Sequence, residues 1–205
     1  DDILNTAETE KYDAVLVGRR GISGSQQFFV GSVTNNLVSH SKQIPLWIVD
    51  GTVSSDHVLI AVDGSINSLR AIDHAAFICS QNNQIRFELL RIQPGLEDFC
   101  DMDSGGMDAE HLKNCIKDAD RRFVRDFQAQ ALARMKESGI SEAQIVFRQV
   151  NKRRSPAKAI VEEAQSGGYG TLVIGRQGMS SSRFMGSVAG TVVQKMNNGA
   201  VWIVP

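Results

Sequence analysis

The last third of the chain repeats its first fifty residues, and no other feature constrains the fold as tightly. The early copy runs Tyr12-Asp13-Ala14-Val15-Leu16-Val17-Gly18-Arg19-Arg20-Gly21, continues to Gly31-Ser32-Val33 and closes on Leu46-Trp47-Ile48-Val49. The late copy runs Tyr169-Gly170-Thr171-Leu172-Val173-Ile174-Gly175-Arg176-Gln177-Gly178, continues to Gly186-Ser187-Val188 and closes on Val201-Trp202-Ile203-Val204. Each copy reads as strand, glycine-rich loop, helix and strand, so the chain carries a duplicated unit. Upstream of the late copy lie roughly a hundred residues, the modal size of a domain, whereas only about ten precede the early one. The asymmetry predicts the C-terminal half of one domain over residues 1–52 and a complete domain over residues 53–205. A chain opening inside a helix such as Asp1 to Glu10 is expected to be missing what precedes it.

Composition narrows the partners. With 42% hydrophobic and 22% charged residues and a net charge of -1, there is no electrostatic case for binding nucleic acid. No apolar run approaches the ~20 residues of a membrane-spanning helix. Cys79, Cys100 and Cys115 share no metal-ligand spacing and read as reduced thiols of a cytoplasmic protein, with Cys79 in the core.

The complete domain opens with the apolar run Val58-Leu59-Ile60-Ala61-Val62, followed by Asp63-Gly64-Ser65. Such a run suits a strand buried on both faces of a parallel sheet. Leu69, Ile72, Ala76 and Cys79 then mark one stripe of a helix, and Ile85 to Ile92 is the next strand, stopped by Pro94-Gly95. An acidic, glycine-bearing loop spans Gly95 to Gly106. A long helix from Glu110 to Ser138 follows, with Leu112, Cys115, Ala119, Phe123, Phe127 and Met135 as its expected buried stripe and Gly139 as its left-handed stop. Gln144 to Val150 reads as a third strand, and Ser155-Pro156 as a helix start with a capping hydroxyl. With the strands at Thr171 to Ile174 and Val201 to Val204, the expectation is an α/β fold: a five-stranded parallel open sheet with helices on both faces, Rossmann-like, plus the half copy. Ligands of such sheets sit beyond the carboxyl ends of the strands, where strand order reverses.

The glycine-rich loop is where chemistry is expected. Gly18-x-x-Gly21, nine residues and Gly31-Ser32 bring glycines, a helix amino terminus and a hydroxyl together, which are the needs of a di- or triphosphate. A tight turn after a strand has the same glycines, and sequence leaves both readings open. Gly-x-x-Gly, nine residues, Gly-Ser after a strand resembles the nucleotide-binding signature of the universal stress proteins, and Gly18, Gly21, Gly31 and Ser32 match it without a gap. Val62-Asp63-Gly64-Ser65 resembles that family's first-strand ending, and Ser155-Pro156-x-x-x-Ile160 its helix before the fourth strand.

The resemblance implies a tandem member that binds ATP, with Mg2+ as a possible companion, acts in stress responses and hydrolyses slowly or not at all. By position, Ala61, Val62, Asp63 and Ile92 would border adenine, ribose and the metal-phosphate region, and Ile174, Gly175, Gly178, Gly186, Ser187 and Val188 would hold ribose and phosphates. Asp63 has a second reading of equal weight, capping or orienting the next turn. The resemblance also implies antiparallel pairing of the last strands, Leu46 to Val49 with Val201 to Val204, and allows a homodimer. One departure stands out: seven residues separate Gly178 from Gly186, two fewer than in the early loop. A nucleotide-free scaffold is therefore the alternative function.

Other candidates carry less. Lys152-Arg153-Arg154 reads mainly as a solvated run, and His40, His57, His74 and His111 lack zinc spacing. No Gly-x-Ser-x-Gly elbow is present. Trp47 and Trp202 occupy matching strand positions, where packing is a stronger reading than ligand stacking.

Overall fold

The computed structural model describes residues 2–20, 30–53, 55–93, 107–151, 155–179 and 185–205, with the side chains of 107–110, 112, 113 and 116 excepted. The early unit comprises helix α1 (Asp2–Thr9), strand β1 (Val15–Gly18), helix α2 (Ser32–His40) and strand β2 (Leu46–Asp50). The remainder is β3 (His57–Val62), α3 (Ile66–Cys79), β4 (Arg86–Gln93), α4 (Met107–Glu137), β5 (Ile145–Asn151), α5 (Pro156–Ser166), β6 (Thr171–Gly175), α6 (Ser187–Lys195) and β7 (Gly199–Val204). The expected strands and helices are found with ends shifted by a few residues. The acidic loop, Lys152-Arg153-Arg154 and Cys100 lie outside the described residues.

The sheet has seven strands rather than five, in the order β1-β2-β7-β6-β3-β4-β5. Five of them, β5-β4-β3-β6-β7, are parallel neighbours. The other two join because β2 pairs antiparallel with β7, Trp47 opposite Trp202, which saturates an edge that each unit would otherwise expose. Order reverses between β3 and β6, so the switch point falls in the late unit. Because β2 and β7 run in opposite directions, the carboxyl ends of the early strands and those of the late strands lie on opposite rims of one sheet.

Each face has its own core. On one face α1, α2, α5 and α6 bury Leu37, Val38, Ile160, Val161, Val192 and Val193 against Leu46, Ile48, Leu172, Val201 and Ile203. On the other, α3 and the second half of α4 cover Ile60, Leu89, Val173 and Trp202. Nothing described covers this second face over β1, where Leu16 is 64% exposed; its counterpart in the late unit, Val173, is fully buried beneath α3.

Two local expectations need correction. Of the stripe assigned to α4, Phe127 and Met135 are buried, with Ala131 between them, but Cys115, Ala119 and Phe123 are exposed, and the side chain of Leu112 lies outside the description. At 1.5 Å per residue the 31-residue helix is about 46 Å long, more than a six-residue strand such as β3 can underlie, so Phe127, Ala131 and Met135 toward its end reach the core while Asp120 meets β4 through Arg91. Ser155 stands at the N-cap of α5, yet its hydroxyl makes no capping hydrogen bond; Pro156 in the first turn marks that start instead. Gly139, at φ +87°, does stop α4 in the left-handed region. Cys79 is buried as expected, and burial pushes its thiol up to about 11.

Candidate functional site

The late unit gathers its candidate residues at one rim. Ala61 and Val62 end β3, Asp63 follows them, and Ile174 and Gly175 end β6 with Ile174 paired to Ala61. Ile92 is near the end of β4, opposite Val150 of β5. Gly178 lies in the loop after β6, and Gly186, Ser187 and Val188 open α6.

Among the described residues helix α6 has no side-chain cap at its amino terminus. Gly186 occupies the N-cap at φ -61°, ψ 149°, makes no side-chain capping bond, and the first turn holds no acidic residue. The first N–H groups of such a helix have no intrahelical acceptor and carry the positive end of its dipole, an arrangement suited to an anion. In the early unit Gly31 takes the N-cap of α2 at φ -59°, ψ 150°, likewise with no side-chain cap. Gly31 N–H donates to Arg19 O at 2.8 Å, and Gly186 N–H donates to Arg176 O at 2.9 Å. The two-residue difference in length is therefore absorbed between two fixed ends. Gly21 and residues 180–184 fall in those intervening stretches, outside the described residues.

Asp63 is held from three directions. Its Oδ1 accepts from Ser65 N–H at 2.9 Å and from the Ser68 hydroxyl at 2.6 Å, and its Oδ2 accepts from Met179 N–H at 2.9 Å. The N-cap of α3 is Ser65, whose hydroxyl accepts from Ser68 N–H, so Asp63 orients the turn and ties it to the loop after β6. Burial alone would raise the Asp63 pKa, but the bonds from Ser65, Ser68 and Met179 outweigh it and hold the group below the usual carboxylate range.

The glycines have separate reasons. A Cβ on Gly178 would lie 2.7 Å from Asp63 Oδ2, so this residue admits the carboxylate that braces the loop. A Cβ on Gly175 would meet the backbone of Asn67 at 3.2 Å, where the first turn of α3 lies against the end of β6. Gly18 meets no such helix; its nearest such atom is Arg20 O at 3.3 Å.

Gly18, Gly31 and Ser32 form the corresponding rim of the early unit. They are not brought together with the late set, because the antiparallel β2–β7 pairing places them at the opposite rim. The four histidines sit on different elements: His40 ends α2, His57 opens β3, His74 lies within α3 and His111 within α4. Among the described residues no group of three metal-ligating side chains converges.

Two residues that sequence reasoning passed over stand at the start of these loops. Arg19 and Arg176 each follow the first glycine of the motif, and they are 4% and 5% exposed. Arg19 N–H donates to Val49 O and Arg176 N–H to Val204 O, while their carbonyls close the loops as described. The arginine directly after the glycine in both copies was the available signal.

Comparison with known proteins places this geometry. The model of the Universal stress protein family matches residues 1–50 and 54–205. Among solved structures, a universal stress protein from Archaeoglobus fulgidus DSM 4304 aligns at a TM-score of 0.64 and 21% identity, over 98% of this chain and 65% of its own. The chain thus spans about two thirds of that protein. A universal stress protein in complex with cAMP aligns at a TM-score of 0.51 and 26% identity, over 73% of this chain and 96% of its own. The universal stress protein UspA from Lactobacillus plantarum aligns at 0.56 and 18% identity, over 73% of this chain and 97% of its own. No curated protein matches the chain. Both its segments and its sheet lead to one assignment: the chain belongs to the universal stress protein family.

Proposed function

We propose that the chain is a cytoplasmic regulatory module that binds an adenine nucleotide, ATP, at the rim formed by Ala61, Val62, Asp63, Ile92, Ile174, Gly175, Gly178, Gly186, Ser187 and Val188 of the complete domain, residues 53–205. The observation that carries the reading is the closure of the shortened loop. Gly186 reaches the same N-cap conformation, and the same hydrogen bond to the preceding arginine carbonyl, as Gly31 in the full-length loop. The first N–H groups of α6, which have no intrahelical acceptor, fit phosphate oxygens, and main chain near Ile92 fits the hydrogen-bonding edge of adenine. The structure of a relative bound to cAMP supports the nucleotide class.

Mg2+ fits this donor set as a companion of the phosphates. A carboxylate offers about four acceptor positions, and among the described residues three donors occupy Asp63, two on Oδ1 and one on Oδ2. Bound there, the metal would neutralise phosphate charge. Asp63, fixed by its own hydrogen bonds, would orient that charge without a change of rotamer. With the histidines dispersed over four elements, the reading is binding with slow or absent hydrolysis. Residues 1–52, as the C-terminal half of a first domain, supply Gly18, Gly31 and Ser32 as a phosphate cradle without the two inner strands that border adenine in the complete domain.

One observation favours the second reading, a nucleotide-free module for dimerisation or docking. Asp63 already braces Met179 and the α3 turn, a structural duty that needs no ligand. Calorimetric titration of the ligand-stripped chain with Mg-ATP, beside a Gly186→Val variant, separates the two. Saturable binding lost in the variant is the expected result. Absence of binding to the parent at millimolar ATP transfers the assignment to the scaffold.

A further inference from the structure

The side chains of Arg19 and Arg176 leave their own units and cross. Arg19 Nη1 donates to Met196 O and its Nη2 to Gln194 O at 2.6 Å, both carbonyls at the carboxyl end of α6. Arg176 Nη1 donates to Val38 O at 2.7 Å and its Nη2 to Ser39 O at 2.9 Å, both at the carboxyl end of α2. Each guanidinium thus satisfies two of the last carbonyls that a helix leaves without partners, and meets the negative end of its dipole.

The crossing follows from the topology. With β2 antiparallel to β7, the helix that starts at the late rim ends at the early rim, and the reverse holds for α2. A nine-residue helix spans about 13 Å, so α6 carries an anion-ready amino terminus at one rim and the Arg19 anchor at the other. The arginines are embedded in the loops themselves. The backbone of each bonds the last strand of its own unit and the N-cap glycine of its own Gly-Ser helix.

The anchors are unequal. Arg19 also lies 3.5 Å from Asp50, which in addition pairs with Arg20. Pro205 follows Val204 where Asp50 follows Val49, and Arg176 forms no ion pair among the described residues. Burial lowers the pKa of both arginines, opposed at Arg19 by Asp50 and reinforced there by Arg20.

We propose that Arg19 and Arg176 are crossed positioning residues: each fixes the helix whose amino terminus forms the other unit's phosphate cradle. Nucleotide affinity at one rim is then set by a residue on the opposite rim. The consequence for affinity rests on the nucleotide reading above; the positioning itself does not.

The test is hydrogen exchange on the full chain and on Arg19→Met, Arg176→Met and the two lysine variants, each with and without Mg-ATP. Without ligand, Arg19→Met is expected to speed exchange at 192–199 of the late unit while sparing 32–41, and Arg176→Met to do the converse. With ligand, Arg19→Met weakens the protection of 186–191 by roughly two- to thirtyfold in ATP concentration, although Arg19 lies at the far rim. Lysine, which keeps a cation at the helix end, restores part of it. Acceleration confined to the mutated unit, or spread evenly over both, overturns the proposal, as does parent-like protection by ATP in Arg19→Met. If the parent shows no ATP protection at all, the nucleotide reading fails. The crossed pattern without ligand then decides the positioning alone, its presence upholding it and its absence removing it.

Discussion

Asp63 shows how one side chain links the sequence to the rim. It joins the end of β3, the first turn of α3 and the loop after β6 through three accepted hydrogen bonds. Its pKa lies below the ordinary value near 3.9, so the ionised form is the one that the fold stabilises. The sign follows from linkage: the contribution is fully present above the unfolded-state pKa and is lost as pH falls through the folded one. Denaturant unfolding followed from pH 7 down to pH 3 should show stability falling below about pH 4, with Asp63→Asn flattening that descent. At pH 7 the same variant should cost on the order of 1–2 kcal/mol through its weakened bonds. Gly178→Ala places a Cβ 2.7 Å from Asp63 Oδ2 and must displace either the carboxylate or the loop. It is expected to weaken Mg-ATP binding at least tenfold by calorimetry, with a stability loss of only about 1 kcal/mol. Parent-like affinity in that variant would remove the brace from the account. The sequence left Asp63 with two readings because a Val-Asp-Gly-Ser ending has the same letters whether the carboxylate faces a ligand or its own turn.

Among the elements, the β2–β7 junction gathers both tryptophans and His74. Trp47 and Trp202 stack at a centroid distance of 4.3 Å and an interplanar angle of 11°. Trp47 Nε1 donates to His74 Nε2 at 3.1 Å, so His74 is a neutral acceptor that ties α3 to the junction. Burial lowers the His74 pKa, opposed by Asp13, and the protonated ring can no longer accept that bond. A group with a depressed folded pKa loses its contribution as pH falls from the unfolded value, here near 6.5, through the folded one. The chain has two tryptophans, both at this junction, so their fluorescence reports on it directly. Acidification from pH 7.5 to 5 is expected to shift the emission, and His74→Gln to abolish the shift; an unchanged shift in that variant would free His74 of the role. The placement of both tryptophans at matching strand positions was legible in the repeat. The exposure of Cys115, Ala119 and Phe123 on α4 was not, because an apolar stripe states what a helix can bury, not what is there to cover it. Phe123 instead lies over Gly64, whose φ of +88° already requires glycine.

At the scale of the whole molecule, duplication explains most of what could be read in advance. Strand, loop and helix order in the late unit follow from alternating apolar runs, and the position of the rim from where those runs end. The crossed arginines were hidden because their partners are backbone carbonyls 137 to 177 residues away, which no side-chain pattern records. The antiparallel pairing of the last strands was expected from the family resemblance and is found, Trp47 opposite Trp202, and it turns the two rims opposite ways. That register has its own consequence: a chain limited to residues 53–205 exposes the β7 edge that β2 now occupies. Such a fragment is expected to pair through β7 with a second copy and to appear as a dimer by light scattering; a soluble monomer with the native circular dichroism would contradict the prediction. The central claim, that the late rim receives the nucleotide, is tested most directly by the hydrogen-exchange footprint of saturating Mg-ATP on the full chain. The account predicts protection at 61–63, 175–178 and 186–189; protection confined to other segments, or none, would contradict it.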